Sequence, residues 1–357
     1  MKRGDWLCFY PWAYRSMFAI LLMAGNLMGA ASLQVPKRVI IDTDPGTDDA
    51  LAILLALSSP ELKVEALTVV PGNVTAAQGL ENALKLVSLA GRPDIPVAAG
   101  AQKPPFQKLV TAESHGLNGL ADINLPPARC SPDSRFAPDL IIELAHRYPH
   151  EVTLVTLGPL TNIALALNKD PSLAGLVKEV VMMGGAISGG NIDAVAEFNI
   201  YVDPEAAQIV FNGGWPLTMV GLEIGRKALF QRAHLARLKM TYGAQNDFAA
   251  EVLEYRINLS EKSGLGGTPL NDPTAMAATI DRTLITTQLM RVDIELRGEF
   301  TRAETVANRQ NALNRKVQRG DHLVFQGTEP LEPNVHVAMD IDTERFMNLL
   351  IARLSGK

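Results

Sequence analysis

Cysteine is almost missing from this chain, with Cys8 and Cys130 the two in 357 residues. Cys130 has no neighbouring residues at metal-ligand spacing, and once the first 31 residues are gone it has no partner, so a disulfide-stapled fold is excluded. Basic runs are also missing. The formal net charge is −5, and loss of residues 1–31 removes three bases (Lys2, Arg3, Arg15) and one acid (Asp5), moving it to −7. A net acidic chain without a basic patch excludes nucleic acid as the expected partner. Internal repeats, low-complexity tracts and linkers are lacking, and so is any Ser/His/Asp or Cys/His arrangement of nucleophilic catalysis.

Long apolar runs are missing everywhere except near the start. There Lys2, Arg3 and Arg15 precede an apolar stretch from Met17 to Leu27, followed by Gly29-Ala30-Ala31. This is the build of a secretory signal peptide cut after Ala31. The stretch is short for a span of about 20 residues and Asn26 interrupts it, which speaks against a retained anchor. The expectation is an exported chain, periplasmic or secreted, free of the membrane after cleavage, with residues 32–357 forming one domain.

What is present is core material: 47% of residues are hydrophobic and only 20% charged. Short apolar runs alternate with helical ones. Strands are expected at Arg38–Thr43, Val64–Val70, Ile95–Ala98, Thr153–Leu157, Val177–Met183 and Leu217–Val220. Helices are expected at Asp49–Leu57, Ala76–Ala90, Asp139–His146, Asn162–Leu167 and Pro204–Phe211. This alternation predicts an α/β fold with a mostly parallel open sheet flanked by helices, and a site at the carboxyl ends of the strands. Gln102–Arg135 reads as a long polar loop, Phe230–Gly267 as inserted helices, Met290–Met339 as extended strands and Asp342–Leu354 as a closing helix.

The stretch Val39–Ala50, VIIDTDPGTDDA, carries Asp42, Asp44, Asp48 and Asp49 at one strand end. Four carboxylates so close repel one another unless a hard divalent cation such as calcium gathers their oxygens. Helix capping accounts for one or two of them, not four. An EF-hand loop from Asp42 would need Gly at position 47 and Glu at position 53, where Thr47 and Ile53 stand. A DxD-type phosphohydrolase also sets two aspartates after a buried strand, and it is kept as an alternative.

The other strand ends carry Pro71-Gly72-Asn73, Leu157-Gly158-Pro159-Leu160-Thr161-Asn162, and Met182-Met183-Gly184-Gly185 followed by Asn191 and Glu197-Phe198-Asn199. Downstream stands Pro269-Leu270-Asn271-Asp272-Pro273. With these blocks in order, the chain from about Lys37 to Leu354 resembles the inosine-uridine-preferring nucleoside hydrolase family, whose fold is Rossmann-related. The resemblance implies calcium-dependent hydrolysis of the N-glycosidic bond of ribonucleosides to base and ribose. It implies metal binding by Asp44, Asp49, Asp272 and the Leu157 carbonyl, with Asp44 also the base that takes a proton from the attacking water. It implies that Asp48 and Asn199 hold the 2′- and 3′-hydroxyls, that Asn191 and Glu197 hold the 5′-hydroxyl, and that Asn73, Met183 and Phe198 complete the pocket. Members of the family are dimers or tetramers, so a homo-oligomer is expected.

One position departs from the family pattern. Family members carry His immediately before the last metal-binding Asp, and here Asn271 stands there. Asn donates a hydrogen bond but delivers no proton. A purine-specific subgroup stacks a Trp at that place, but Trp215, the sole Trp after residue 31, lies elsewhere. His115, in the long loop, matches a family histidine near the base and is the candidate donor to it. Tyr255 is a second candidate to donate to or stack on the base. Base preference is left open. So is a non-catalytic, exported nucleoside- or ribose-binding protein, against which the retained Asp44 argues. The glycine-rich run Gly184–Gly190 lacks the spacing of a phosphate loop and reads as a flexible pocket loop.

Overall fold

A computed structural model of the chain describes residues 35–308 and 332–356. The expected signal segment, His322 and part of the expected extended run before Met339 lie outside the described residues. Residues from Pro36 on form one compact unit.

Apolar, β-branched runs form the strands of an eight-stranded sheet. In chain order these are β1 (Lys37–Thr43), β2 (Leu62–Val69), β3 (Val97–Ala99), β4 (Val152–Thr156), β5 (Glu179–Met183), β6 (Leu217–Val220), β7 (Ile285–Met290) and β8 (Val335–Ile341). Their spatial order is β3-β2-β1-β4-β5-β6-β8-β7. All neighbours run parallel except the edge pair β8–β7. The inner strands β1, β4, β5 and β6 are buried almost throughout on both faces, which is why they read as apolar runs rather than alternating ones. Successive residues of β1 serve opposite cores: Val39 and Ile41 join one hydrophobic cluster and Ile40 the other.

Besides the single turn Leu173–Leu176, the helices are α1 (Thr47–Leu57), α2 (Ala76–Leu89), α3 (Ala137–Arg147), α4 (Thr161–Lys169), α5 (Phe198–Val202), α6 (Pro204–Phe211), α7 (Leu222–Lys227), α8 (Arg232–Leu238), α9 (Ala244–Lys262), α10 (Asn271–Ile280) and α11 (Thr343–Leu354). Helices α1, α2, α9, α10 and α11 contribute to the first cluster, and α3, α4 and α6 to the second. The sheet is thus covered on both sides, as the alternation of runs predicts. The segment 102–135 is a loop apart from the single 3₁₀ turn Glu113–His115. No helix among the described residues is long and apolar enough to cross a membrane.

Helices α5, α7 and α10 have no counterpart among the sequence-based expectations. α10 matters most, because it packs against α1 and β5 and is buried from Asp272 to Ile280. Asp48 and Asp49 sit in the first turn of α1, and Asp272 in the first turn of α10. Two positive helix ends are therefore aimed at one place, which favours carboxylates there.

Candidate active site

The site begins where β1 ends. Thr43 is its last residue, and Pro45-Gly46 turn the chain into α1. Gly46 caps that helix, and its backbone N–H donates to Asp49 Oδ2 at 3.0 Å, the return contact of a capping box. The other oxygen of Asp49 accepts from Thr43 Oγ1 at 2.6 Å. Gly46 also permits a close approach: a Cβ there would lie 2.7 Å from His115 Nδ1 and 2.8 Å from Asn73 Nδ2.

Asn73, after β2, braces two carboxylates at once. Its backbone N–H donates to Asp44 Oδ2 at 2.6 Å and its side chain to Asp49 Oδ2 at 2.8 Å. Asp44 is fully buried, and its Oδ1 has no hydrogen-bond partner. Burial, with the charge of Asp49 beside it, holds the Asp44 carboxyl well above the usual carboxylate range. Burial raises Asp272 in the same way, helped by the charges of Asp48, Asp49 and Asp44. One oxygen each of Asp48, Asp49 and Asp272 lies within 4.8 Å of the others. A buried carboxylate oxygen without a donor, beside three more carboxylates, is a set of hard oxygens short of positive charge. It fits a divalent cation of the calcium type. The geometric triplet contains Asp48 where the sequence pointed to Asp44, and Asp44 lies against it.

Asp42 stands apart from that cluster. Its Oδ1 accepts from Thr68 Oγ1 at 2.6 Å and from Asn162 Nδ2 at 2.8 Å. Burial raises its pKa to about 7 against the pull of those two donors. It ties β1 to β2 and α4 and so supports the turn behind Asp44.

Above the carboxylates opens a cavity of about 510 Å³, within the range of small-molecule sites. Asp48, Asn73, Met183, Asn191, Glu197, Phe198, Asn199, His115, Asn271 and Asp272 all line it, together with Leu157. The Leu157 carbonyl accepts from Asn199 Nδ2 at 2.7 Å, which leaves its second lone pair for another partner. Glu197 caps α5, accepting from Gly185 N at 3.0 Å and Ile200 N at 3.2 Å. Burial raises its carboxyl to about 7 in spite of those donors. Asn191 accepts from Phe198 N at 3.0 Å.

Tyr255 does not line this cavity. It faces a neighbouring one of about 720 Å³, together with Thr75, Gln78 and Leu117; the two cavities share Asn73, Thr111, Ala112 and Glu113 in their walls. Its successor on α9, Arg256, lines the central cavity instead. One helical residue is a rotation of about 100°, enough to put neighbours on different faces. Sequence reasoning named Tyr255 and missed Arg256, because nothing in the local pattern fixes the rotation of α9. Arg256 Nη1 donates to Thr47 Oγ1 at 2.8 Å and lies 3.3 Å from Asp48 Oδ1, and its Nη2 donates to the Pro269 carbonyl at 3.2 Å. Thr47, inside DTDPGTDDA, was missed as well. Its hydroxyl lies 2.8 Å from His115 Nδ1 and its backbone N–H 3.0 Å from the same atom. His115 is buried, which lowers its pKa below the usual value.

The glycine-rich run is held rather than loose. Glu223 Oε1 on α7 accepts from Ile187 N and Ser188 N at 2.7 Å each and from Ser188 Oγ at 2.8 Å. One helical turn on, Arg226 donates to the Gly190 carbonyl at 2.7 Å and to that of Gly189 at 3.2 Å. The clamp comes from α7, an element the sequence reading did not identify, so the expectation of a flexible loop is corrected. Trp215 is buried with its indole N–H on the Val210 carbonyl, at a distance of 3.0 Å, and serves the core. His146 pairs with Asp170 on the surface at 2.7 Å, away from the cavity.

Comparison with known proteins points one way. The family model described as inosine-uridine preferring nucleoside hydrolase matches residues 39–348. The pyrimidine-specific ribonucleoside hydrolase RihA of Salmonella gallinarum is 40% identical over 319 residues, covering 88% of this chain and 97% of that protein. Among solved structures, the plant nucleoside hydrolase PpNRh1 superposes with a TM-score of 0.82 at 36% identity, covering 90% of this chain and 99% of its own. The purine-preferring ribonucleoside hydrolase from Gardnerella vaginalis gives 0.80 at 32% identity, covering 90% and 98%.

Proposed function

This chain belongs to the inosine-uridine preferring nucleoside hydrolase family, and from that premise we propose that it is a calcium-dependent ribonucleoside hydrolase that cuts the N-glycosidic bond to free base and ribose. The observation that carries the reading is the buried carboxylate floor. Asp44 offers an oxygen with no donor, beside Asp48, Asp49 and Asp272, under a cavity lined by polar side chains. Asp44, Asp49, Asp272 and the Leu157 carbonyl would hold the ion, with Asp48 at its edge. When bound, calcium would orient and acidify the attacking water and grip the ribose diol.

The protein's own groups do the rest. Asp44, held through one oxygen by the Asn73 backbone N–H, takes the proton from the water that attacks C1′. Asp48 and Asn199 hold the 2′- and 3′-hydroxyls, and Glu197 and Asn191 the 5′-hydroxyl. A site built around hydroxyls rejects deoxy analogues, because its own polar groups are then stranded. The ring becomes cationic as the bond breaks, and the surrounding carboxylates stabilise that charge. Asn73, locked to Asp44 and Asp49, keeps both from turning away.

The relatives' names divide over the base, one pyrimidine-specific and one purine-preferring, so the test must span both. Release of reducing sugar from a panel of purine and pyrimidine ribonucleosides, and from their 2′-deoxy counterparts, is expected for the ribo series alone. Chelation should abolish it and calcium restore it. Inactivity on every ribonucleoside at saturating calcium would refute the reading, and magnesium-dependent phosphate release would put the DxD phosphohydrolase in its place. Export and self-assembly belong to the same proposal, read by the mature N-terminus and by the mass in solution.

A further inference from the structure

Asn271 leaves the departing base without an acid at the place where the family has histidine, so the other donors around the cavity become decisive. Arginine is a pure hydrogen-bond donor. Arg256 Nη1, 2.8 Å from Thr47 Oγ1, therefore makes that hydroxyl an acceptor and frees the hydroxyl's own hydrogen for a different partner. The partner at hand is His115 Nδ1, 2.8 Å away. The Thr47 backbone N–H, which also only donates, points to the same nitrogen at 3.0 Å. Two donors converging on Nδ1 leave no room for a hydrogen there. The ring's hydrogen is then on Nε2.

We infer that Thr47 and Arg256 are positioning residues that fix His115 in its Nε2–H tautomer and make it the hydrogen-bond donor to the departing base. The arrangement is held on every side. Arg256 is anchored by Asp48 and by the Pro269 carbonyl, just before Asn271. The His115 ring abuts Gly46, where a Cβ would lie 2.7 Å from Nδ1, and the His115 carbonyl accepts from Ala121 N at 2.8 Å. His115, Arg256 and Asn271 line the same cavity. As the C1′–N bond breaks, its electron pair passes to the base and the Nε2–H hydrogen bond disperses the new charge. The water oxygen bonds to C1′ and one of its protons goes to Asp44; the released base takes a proton from solvent on leaving, and Asp44 returns its own to solvent.

This inference rests on the hydrolase reading for its role at the base, but not for the tautomer, and the experiment separates the two. In the full chain labelled with ¹⁵N-histidine, proton–nitrogen correlation should show His115 with a bare Nδ1 and a protonated Nε2. Thr47→Val should lower kcat on ribonucleosides by about tenfold, while costing much less on 4-nitrophenyl riboside, whose phenolate leaves without a donor. Thr47→Ser, which keeps the hydroxyl, should retain the parent rate. A hydrogen on Nδ1 in the parent, or equal losses on the two substrates, would overturn the inference. A parent that hydrolyses neither substrate removes the hydrolase reading and with it the role at the base, while the spectrum still decides the tautomer.

Discussion

Around Asp44 and Asp49 the hydrogen-bond partners come from the ends of adjacent strands: Thr43, Gly46 and Asn73. The groups at the base end reach the cavity from a long loop, the middle of α9 and the start of α10. The first region is buried, braced at both carboxylate oxygens of Asp49 and at one of Asp44, and dense in carboxylates. The second is a chain of donors, Arg256 to Thr47 to His115, with Asn271 alongside. The contrast separates two chemical tasks. Handling water and ribosyl charge needs fixed oxygens, and a rigid sheet edge supplies them. Handling the base needs groups matched to a leaving group, and those come from segments whose placement is free to vary.

The deepest cut into this contrast is at Asp44. Asp44→Asn should lower kcat by about 10³-fold on ribonucleosides and on 4-nitrophenyl riboside alike, because the base for water serves every leaving group. Steady-state kinetics on both substrates check it, and a loss confined to one would move Asp44 to the other end of the site. Next comes Glu197, whose carboxyl burial raises from 4.5 to about 7. A raised folded-state value means that the native state holds the proton more tightly than the unfolded chain does. Stability from this group is therefore fully present below about pH 4.5 and is lost as pH rises through 7. Glu197→Gln should flatten that dependence, by up to about 3 kcal/mol between pH 4.5 and 8. Denaturant melts of the chelated protein measure it, and an unchanged slope would deny the buried acid.

At the base end the expected effects are smaller. Asn271→His should raise kcat on ribonucleosides by about tenfold and leave 4-nitrophenyl riboside unchanged. A rise on both would show that the residue acts on water or sugar instead. The substitution must also clear α7, because the Asn271 amide is packed against Gly225, where a Cβ would lie 1.8 Å from its Oδ1. The mildest test concerns the loop that carries Asn191. Glu223→Ala should raise KM for ribonucleosides by roughly fivefold with little change in kcat, the pattern of lost uniform binding. 5′-Deoxyribonucleosides, lacking the hydroxyl, should show no such penalty.

Most strands and most of the helices were legible, the inner strands because they are apolar runs and the helices because each follows a turn or a cap; β7, with Thr286, Thr287 and Gln288 in its middle, carries no such run and was not expected. Lys37–Thr43, Pro204–Phe211 and Leu217–Val220 fall where the residues place them. Helices α5 and α7 were not, being a turn or so long with no periodic face to read. The start of α10 was visible as a motif and its helical body was not, since a helix buried on all sides has no polar stripe. Within the site, Asp44, Asp48 and Asp49 were readable from their crowding alone. Arg256 and Glu223 were hidden, because an Arg or a Glu on a short or inserted helix carries no mark of the direction it faces.

The sequence by itself determined the parallel α/β sheet, the strand end on which the acids stand, and the replacement of histidine by Asn271. Those are local properties: hydrophobic runs, turn residues and the identity of one side chain. Tertiary structure alone decided that Asp48 shares the geometric triplet with Asp49 and Asp272, through the packing of α10 on α1. It decided too that Arg256 rather than Tyr255 turns into the cavity, and that Thr47 bridges it to His115. Each of these depends on how one helix is rotated and seated against another, and that is settled by the fit of the whole core.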